Sequence, residues 1–133
     1  MKDLVNERIK FREEFRPFAP SVLADYFSDY SVCSHPSPFM THVFDVSPYK
    51  RDIIPAVTHV DGTGRFQTVR RENNPLYYKL IDAFRCETGV PVVLNTSFNL
   101  KGEPIVCSPT DALRTFYNCA MDTLVMGNYV VEK

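Results

Sequence analysis

No apolar run in this sequence comes near the roughly 20 residues that a bilayer-spanning helix needs. The first eight residues, Met1 to Arg8, open with charge and hold no apolar core like that of a secretory leader. Both absences make the cytoplasm the expected compartment. Charge of one sign is not in excess either: 15 basic residues stand against 16 acidic ones, for a formal net charge of −1. Nucleic acids and anionic membranes normally demand a basic excess on at least one face. Neither is an expected partner, so any anion site must be local. The four cysteines, Cys33, Cys86, Cys107 and Cys119, lie far apart and form no CxxC pair. Zinc needs tighter ligand spacing and a reducing compartment disfavours disulfides. They are expected as small buried hydrophobes, with no metal site on this chain. Internal repeats and low-complexity stretches are lacking too.

What is present is one domain's worth of chain, 133 residues at 44% hydrophobic content, enough to bury a core without staples. Residues 3–11 read as a short helix, then Pro17 and Pro20 hold the chain extended to Val22. Val22–Phe27 reads as a second helix and Ser28–Pro38 as a loop. Phe39–Val46 and the run after Pro55 to Val60 read as strands. Asp61-Gly62-Thr63-Gly64 then predicts a hairpin turn into Arg65–Val69. Asn74 caps a helix that starts at Pro75, stops at Gly89 and turns Leu76, Leu80, Ile81 and Phe84 inward. Val90–Leu94 reads as a strand buried on both faces. Ser108 opens a helix that presents Leu113, Phe116, Tyr117 and Ala120 to the core, and Asp122–Val131 closes as a strand. The alternation predicts an α/β (α+β) class, a mixed sheet flanked by helices.

Three stretches could carry chemistry. In the first, Lys10, Arg12 and Arg16 bring three cations within seven residues. If this segment is extended, they share one face while Phe11 and Phe15 press into the core. Such a cluster suits phosphate oxygens, or else it is a solvated face paired with Glu7, Glu13 and Glu14. In the second, Thr58-His59-Val60-Asp61-Gly62-Thr63-Gly64-Arg65, backbone N–H groups of a glycine turn could approach an anion with Arg65 beside it. An ordinary hairpin turn accounts for the same residues. In the third, an apolar strand runs straight into Asn95-Thr96-Ser97-Phe98-Asn99. Ligands collect at strand carboxyl ends in open α/β sheets. Ser97 and Asn99 could bond phosphate or ribose, or cap their own loop.

Lys10-Phe11-Arg12 followed by Ser97-Phe98-Asn99 resembles the K-x-R…S-x-N signature of YrdC-like domains. The longer stretches Phe11–Pro20, Thr58–Thr63, Leu94–Val106 and Met121–Asn128 resemble the carboxy-terminal region of the nodulation-type and antibiotic-type O-carbamoyltransferases. The resemblance runs through nearly the whole chain. It implies a YrdC-like fold, a twisted mixed sheet around a cationic cavity that binds ATP with Mg²⁺ and carbamoyl phosphate and forms carbamoyl-adenylate. It implies Lys10, Arg16 and Arg65 as catalytic residues, with Arg12, His59, Asn95, Thr96, Ser97 and Asn99 binding substrate or nucleotide. It further implies a partner: an amino-terminal domain resembling the Kae1 fold, which holds an iron and passes the carbamoyl group to a hydroxyl acceptor.

In that family the YrdC-like domain starts earlier than Met1, so these residues read as a fragment. The missing sheet edge predicts dimerisation or instability. Two other functions stay open on the sequence. One is a nucleotide- or phosphate-binding module without turnover. The other is a threonylcarbamoyl-adenylate synthase-type domain.

Overall fold

Residues 1–33 and 35–133 are described by a computed structural model. In chain order, α1 (Lys2–Val5) runs on into a π-helical turn (Asn6–Lys10), followed by β1 (Ala19–Leu23), α2 (Phe27–Tyr30) and β2 (Phe44–Asp45). Then come β3 (Thr63–Gly64), β4 (Gln67–Val69), α3 (Pro75–Thr88), β5 (Val92–Asn95), α4 (Pro109–Tyr117), β6 (Thr123–Met126) and β7 (Tyr129–Glu132). The chain divides into two units: residues 1–16 with 97–133, and residues 17–96. Helices and several small sheets make the chain α+β, as its sequence predicts.

In the unit of residues 17–96, β1 is the middle of a three-stranded mixed sheet, parallel to β4 and antiparallel to β5. Its register sets Ser21 opposite both Gln67 and Val93. Every residue of β1 is buried, as a central strand should be. Leu23, Val69, Tyr78 and Ile81 form a core between sheet and α3. The rings of Phe27, Phe44 and Phe66 pack edge to face, with Phe27 5.3 Å from each of the other two.

Local chemistry set α3 where its signals lie: the Asn74 side chain accepts from the Tyr77 N–H, and Gly89 ends the helix at φ +77°. The buried face is nevertheless Tyr78 and Ile81, while Leu76 and Leu80 are 75% and 60% exposed and Phe84 is also exposed. The other departures have physical causes. The expected strand around Val57 is a 3₁₀ turn (Pro55–Val57), because Pro55 starts a tight turn in which the Ile54 carbonyl accepts from Val57 N–H and the Thr58 hydroxyl. The expected hairpin is absent. Thr63–Gly64 pairs with Phe44–Asp45 instead, and Gln67–Val69 pairs with β1. The predicted strand at Phe39–Val46 is therefore only two residues long, and the short helix falls at Phe27–Tyr30 after a 3₁₀ turn. β5 is half-buried along most of its length rather than covered on both faces.

In the unit of residues 1–16 and 97–133, Ser108 caps α4 by accepting from the Asp111 N–H. Ala112 and Phe116 pack against Leu124, with Leu113, Met121 and Val131 around them. Tyr117 and Ala120 face solvent, outside the expected core stripe. The closing strand is a hairpin of β6 and β7, because Gly127 adopts φ +58° and reverses the chain. Of the cysteines only Cys119 is buried; Cys33, Cys86 and Cys107 are exposed. Among the described residues, no helix is long and apolar enough to cross a membrane.

Candidate functional site

The segment that carries the cations begins with an unusual helix end. The π-helical turn Asn6–Lys10 closes when the Phe11 N–H reaches the Asn6 carbonyl. Phe11 then takes a left-handed conformation, φ +48°, which costs a non-glycine residue about 1–2 kcal/mol. Such turns recur at functional sites because they re-aim the chain. Here the reversal corrects the expectation of an extended strand with buried aromatics. Phe15 is 74% exposed and Phe11 is exposed too, while Lys10 is buried.

The Lys10 ammonium donates to the Asn99 carbonyl at 2.7 Å, the Ser97 carbonyl at 2.8 Å and the Asn99 side-chain carbonyl at 3.0 Å. The Ser97 hydroxyl lies 3.4 Å away and itself donates to Asn99 Oδ1 at 2.6 Å. An ammonium has three protons, so Lys10 is satisfied within the chain by residues 87 and 89 positions away. Burial, and then the neighbouring Arg12 charge, push its pKa below the ordinary lysine value. Lys10 is a clamp on the loop.

The loop is held from its other side as well. Asn99 Nδ2 donates to the Glu103 carbonyl at 2.8 Å. The Glu103 carboxylate accepts from Leu100 N–H at 3.2 Å and from the Thr115 hydroxyl at 3.3 Å. Gly102, at φ +83°, makes the turn that presents Lys101. Loop and amino-terminal segment enclose an open cleft of about 260 Å³, lined among others by Arg12, Glu13, Arg16, Asn99 and Lys101. Arg16 pairs with Glu13 at 3.0 Å across side chains that are half exposed. Burial and the Arg16 charge lower the Arg12 pKa. A hydrogen bond from its own backbone, and then Arg16, hold the Glu13 carboxyl below its usual range. Four cations (Lys10, Arg12, Arg16 and Lys101) and one carboxylate line the cleft and leave it cationic, which suits a multiply charged anion.

Lys10, Arg12, Arg16, Ser97 and Asn99 are thus brought together within one unit. His59, Arg65, Asn95 and Thr96 lie in the other. His59 Nδ1 shares a hydrogen bond with the Thr63 hydroxyl at 3.0 Å, and Asp61 accepts from Thr63 N–H and its hydroxyl. Burial lowers the His59 pKa; Asp61 opposes that shift and Arg65 adds to it. Asn95 Nδ2 donates to Gln67 Oε1 at 2.8 Å, which also accepts from Ser21. Arg65 and Thr96 are exposed. Among the described residues, no group of three or more His, Cys, Asp or Glu side chains could hold a metal ion.

Sequence reasoning missed Asn6, Glu103 and Lys101. Asn6 is fully buried, and nothing in Val5-Asn6-Glu7 marks an amide as interior. Glu103 and Lys101 sat inside a recognised stretch, Leu100-Lys101-Gly102-Glu103, whose glycine turn was the available signal.

The Carbamoyltransferase C-terminus family model matches residues 1–133. Nodulation protein NolNO of Sinorhizobium fredii is 50% identical over 135 residues, covering 99% of this chain and 20% of that protein. Nodulation protein NolO of Bradyrhizobium diazoefficiens is 45% identical over 135 residues, covering 99% of this chain and 25% of that protein. Nodulation protein U of Rhizobium tropici is 42% identical over 102 residues, covering 77% of this chain and 18% of that protein. The chain therefore spans about a quarter or less of these relatives' length.

Proposed function

The chain belongs to the carbamoyltransferase C-terminus family, and from that premise we propose that it is the nucleotide-handling part of a carbamoyltransferase. In this reading it binds ATP and carbamoyl phosphate and forms carbamoyl-adenylate. Water first cleaves carbamoyl phosphate to carbamate and inorganic phosphate. A carbamate oxygen then attacks the α-phosphorus, the bond from that phosphorus to the α,β-bridging oxygen breaks, and pyrophosphate leaves with the electron pair. The reaction gathers anions, so fixed cations and polar donors supply most of the acceleration and no nucleophilic side chain is needed. The observation that carries the reading is the cationic cleft built on the Lys10–Ser97–Asn99 network.

In this reading Arg16, half exposed, and the exposed Lys101 meet phosphate oxygens, and Arg12 adds a third cation from the cleft wall. Lys10 acts by holding the loop and through its charge. Among the described residues Glu13 is the one carboxylate that lines the cleft, and it pairs with Arg16. Mg²⁺ would therefore arrive on the nucleotide's own phosphate oxygens rather than in a protein cage. Arg65, His59, Asn95 and Thr96 lie in the other unit, and their roles rest on the family resemblance alone. Transfer of the carbamoyl group to a hydroxyl would fall to a separate amino-terminal, Kae1-like, iron-holding domain or subunit. The ATP requirement fits a cytoplasmic location.

Calorimetric titration with Mg–ATP and then carbamoyl phosphate tests this, followed by assay of pyrophosphate. Micromolar binding with pyrophosphate release supports the reading. Binding without release would make the chain a nucleotide-binding module, and no binding of either ligand overturns the assignment. Arg16→Ala is expected to weaken binding by about 2–4 kcal/mol, the worth of a charge-assisted contact.

A further inference from the structure

One residue in the first unit bonds the cation-bearing segment at several points, through both backbone and side chain. The Asn6 backbone carbonyl accepts from Phe11 N–H and from Arg12 N–H at 3.1 Å. Its side-chain carbonyl accepts from Arg12 Nε at 2.8 Å. Its side-chain NH₂ donates to the Arg16 carbonyl at 3.0 Å and the Glu14 carbonyl at 3.2 Å. Asn6 is 0% exposed, so each of these bonds is made in place of water.

We propose that Asn6 is the positioning residue of the cleft: it touches no ligand, and it sets both the direction of the Arg12 guanidinium and the path of residues 14–16 that carries Arg16. This inference rests on the phosphate-binding reading of the cleft. The chemistry is specific to a carboxamide of this length. One end must accept from a guanidinium while the other donates to two carbonyls. An aspartate keeps the first function and loses the second, because its oxygens would face the carbonyls of Glu14 and Arg16. A glutamine adds a methylene to a side chain that is already fully buried. The strained Phe11 conformation and the π-helical turn bring the peptide back over Asn6, which accounts for their cost.

Nitrogen-15 NMR of the Arg12 Nε–H, with titration by pyrophosphate, tests the inference. In the unsubstituted chain the Arg12 Nε–H should exchange with solvent more slowly than that of the exposed Arg8. Rapid exchange there would overturn the proposal without any variant being made. Asn6→Ala and the milder Asn6→Asp should each weaken pyrophosphate binding about tenfold or more, measured well below the unfolding midpoint. Asn6→Ala should also release the Arg12 Nε–H to fast exchange. A residue that only supports the fold would lower the midpoint and leave the folded chain's affinity unchanged, and that outcome sinks the idea. If the unsubstituted chain binds no pyrophosphate, the phosphate reading fails. The exchange at Arg12 then decides the Asn6 inference by itself.

Discussion

Two polar clusters in this molecule are equally dense in sequence and opposite in construction. In the unit of residues 1–16 and 97–133, Lys10 reaches groups 87 and 89 positions away, and three of its four contacts are 3.0 Å or shorter. In the unit of residues 17–96, the side chains of His59, Asp61 and Thr63 bond to one another and to the Thr63 N–H, two to four positions apart, and the turn meets distant chain through backbone pairing with Phe44–Val46. Gly62 N–H closes on the His59 carbonyl and His59 N–H on the Thr63 carbonyl in the same turn. Ordering distant segments around a buried charge costs chain entropy that a turn avoids. Convergence over long sequence separation is therefore the stronger mark of a built site, and local closure is what any good turn does.

The largest test of that contrast is Lys10→Met, which keeps the apolar stem and deletes the ammonium. The carbonyls of Ser97 and Asn99 lose a charged donor in a half-covered position, and the Asn99 side chain loses its anchor. Urea unfolding is expected to show a loss of about 2–3 kcal/mol. Arginine should not restore it, because a planar fork cannot aim three protons as an ammonium does. Full stability in Lys10→Met would make the network incidental and erase the difference between the two clusters.

The same contrast explains what could be read in advance. Both long helices begin where Asn74 and Ser108 predict, because a cap is a bond between residues three apart and is written locally. The meeting of Lys10-Phe11-Arg12 with Ser97-Phe98-Asn99 was legible only through resemblance, since nothing in either tripeptide names its partner. The expected burial of Phe11 and Phe15 failed because alternation presumes an extended segment, and the left-handed turn at Phe11 breaks that period. The short strands failed for a related reason. Phe44–Asp45 and Thr63–Gly64 owe their pairing to each other across the fold, and two residues carry too little pattern to announce it. Asn6 stayed hidden because its value lies in burial, which composition cannot show.

A middling effect is expected in the other cluster from Gly62→Ala. Gly62 sits at φ +81°, and an added Cβ would lie 2.5 Å from the Arg51 guanidinium carbon. The guanidinium can shift, at the expense of the bond from Arg51 Nε to the Val46 carbonyl; the backbone conformation cannot be relieved. Thermal unfolding should report a loss of about 1–2 kcal/mol. Phosphate-ligand affinity should not change if this turn is only a turn. A loss of affinity in the folded variant would promote it from local closure to ligand loop, and with it Arg65.

The smallest effect, and the one that separates the clusters by pH, belongs to His59. Burial, reinforced by Arg65 and opposed by Asp61, sets its folded pKa below the ordinary value of 6.5. The unfolded chain then binds the proton more readily than the folded one. The His59 contribution is fully present above pH 6.5 and is lost as pH falls from there through the folded pKa. Urea titrations between pH 7.5 and 5.5 should show the chain weakening with acid, and His59→Asn should flatten part of that slope. Lys10 stays charged in the unfolded state across this window, so its network should add nothing to the difference between the two proteins. An unchanged slope in His59→Asn would mean that the ring is solvated enough to titrate alike in both states, leaving the turn held by Asp61 and Thr63 alone.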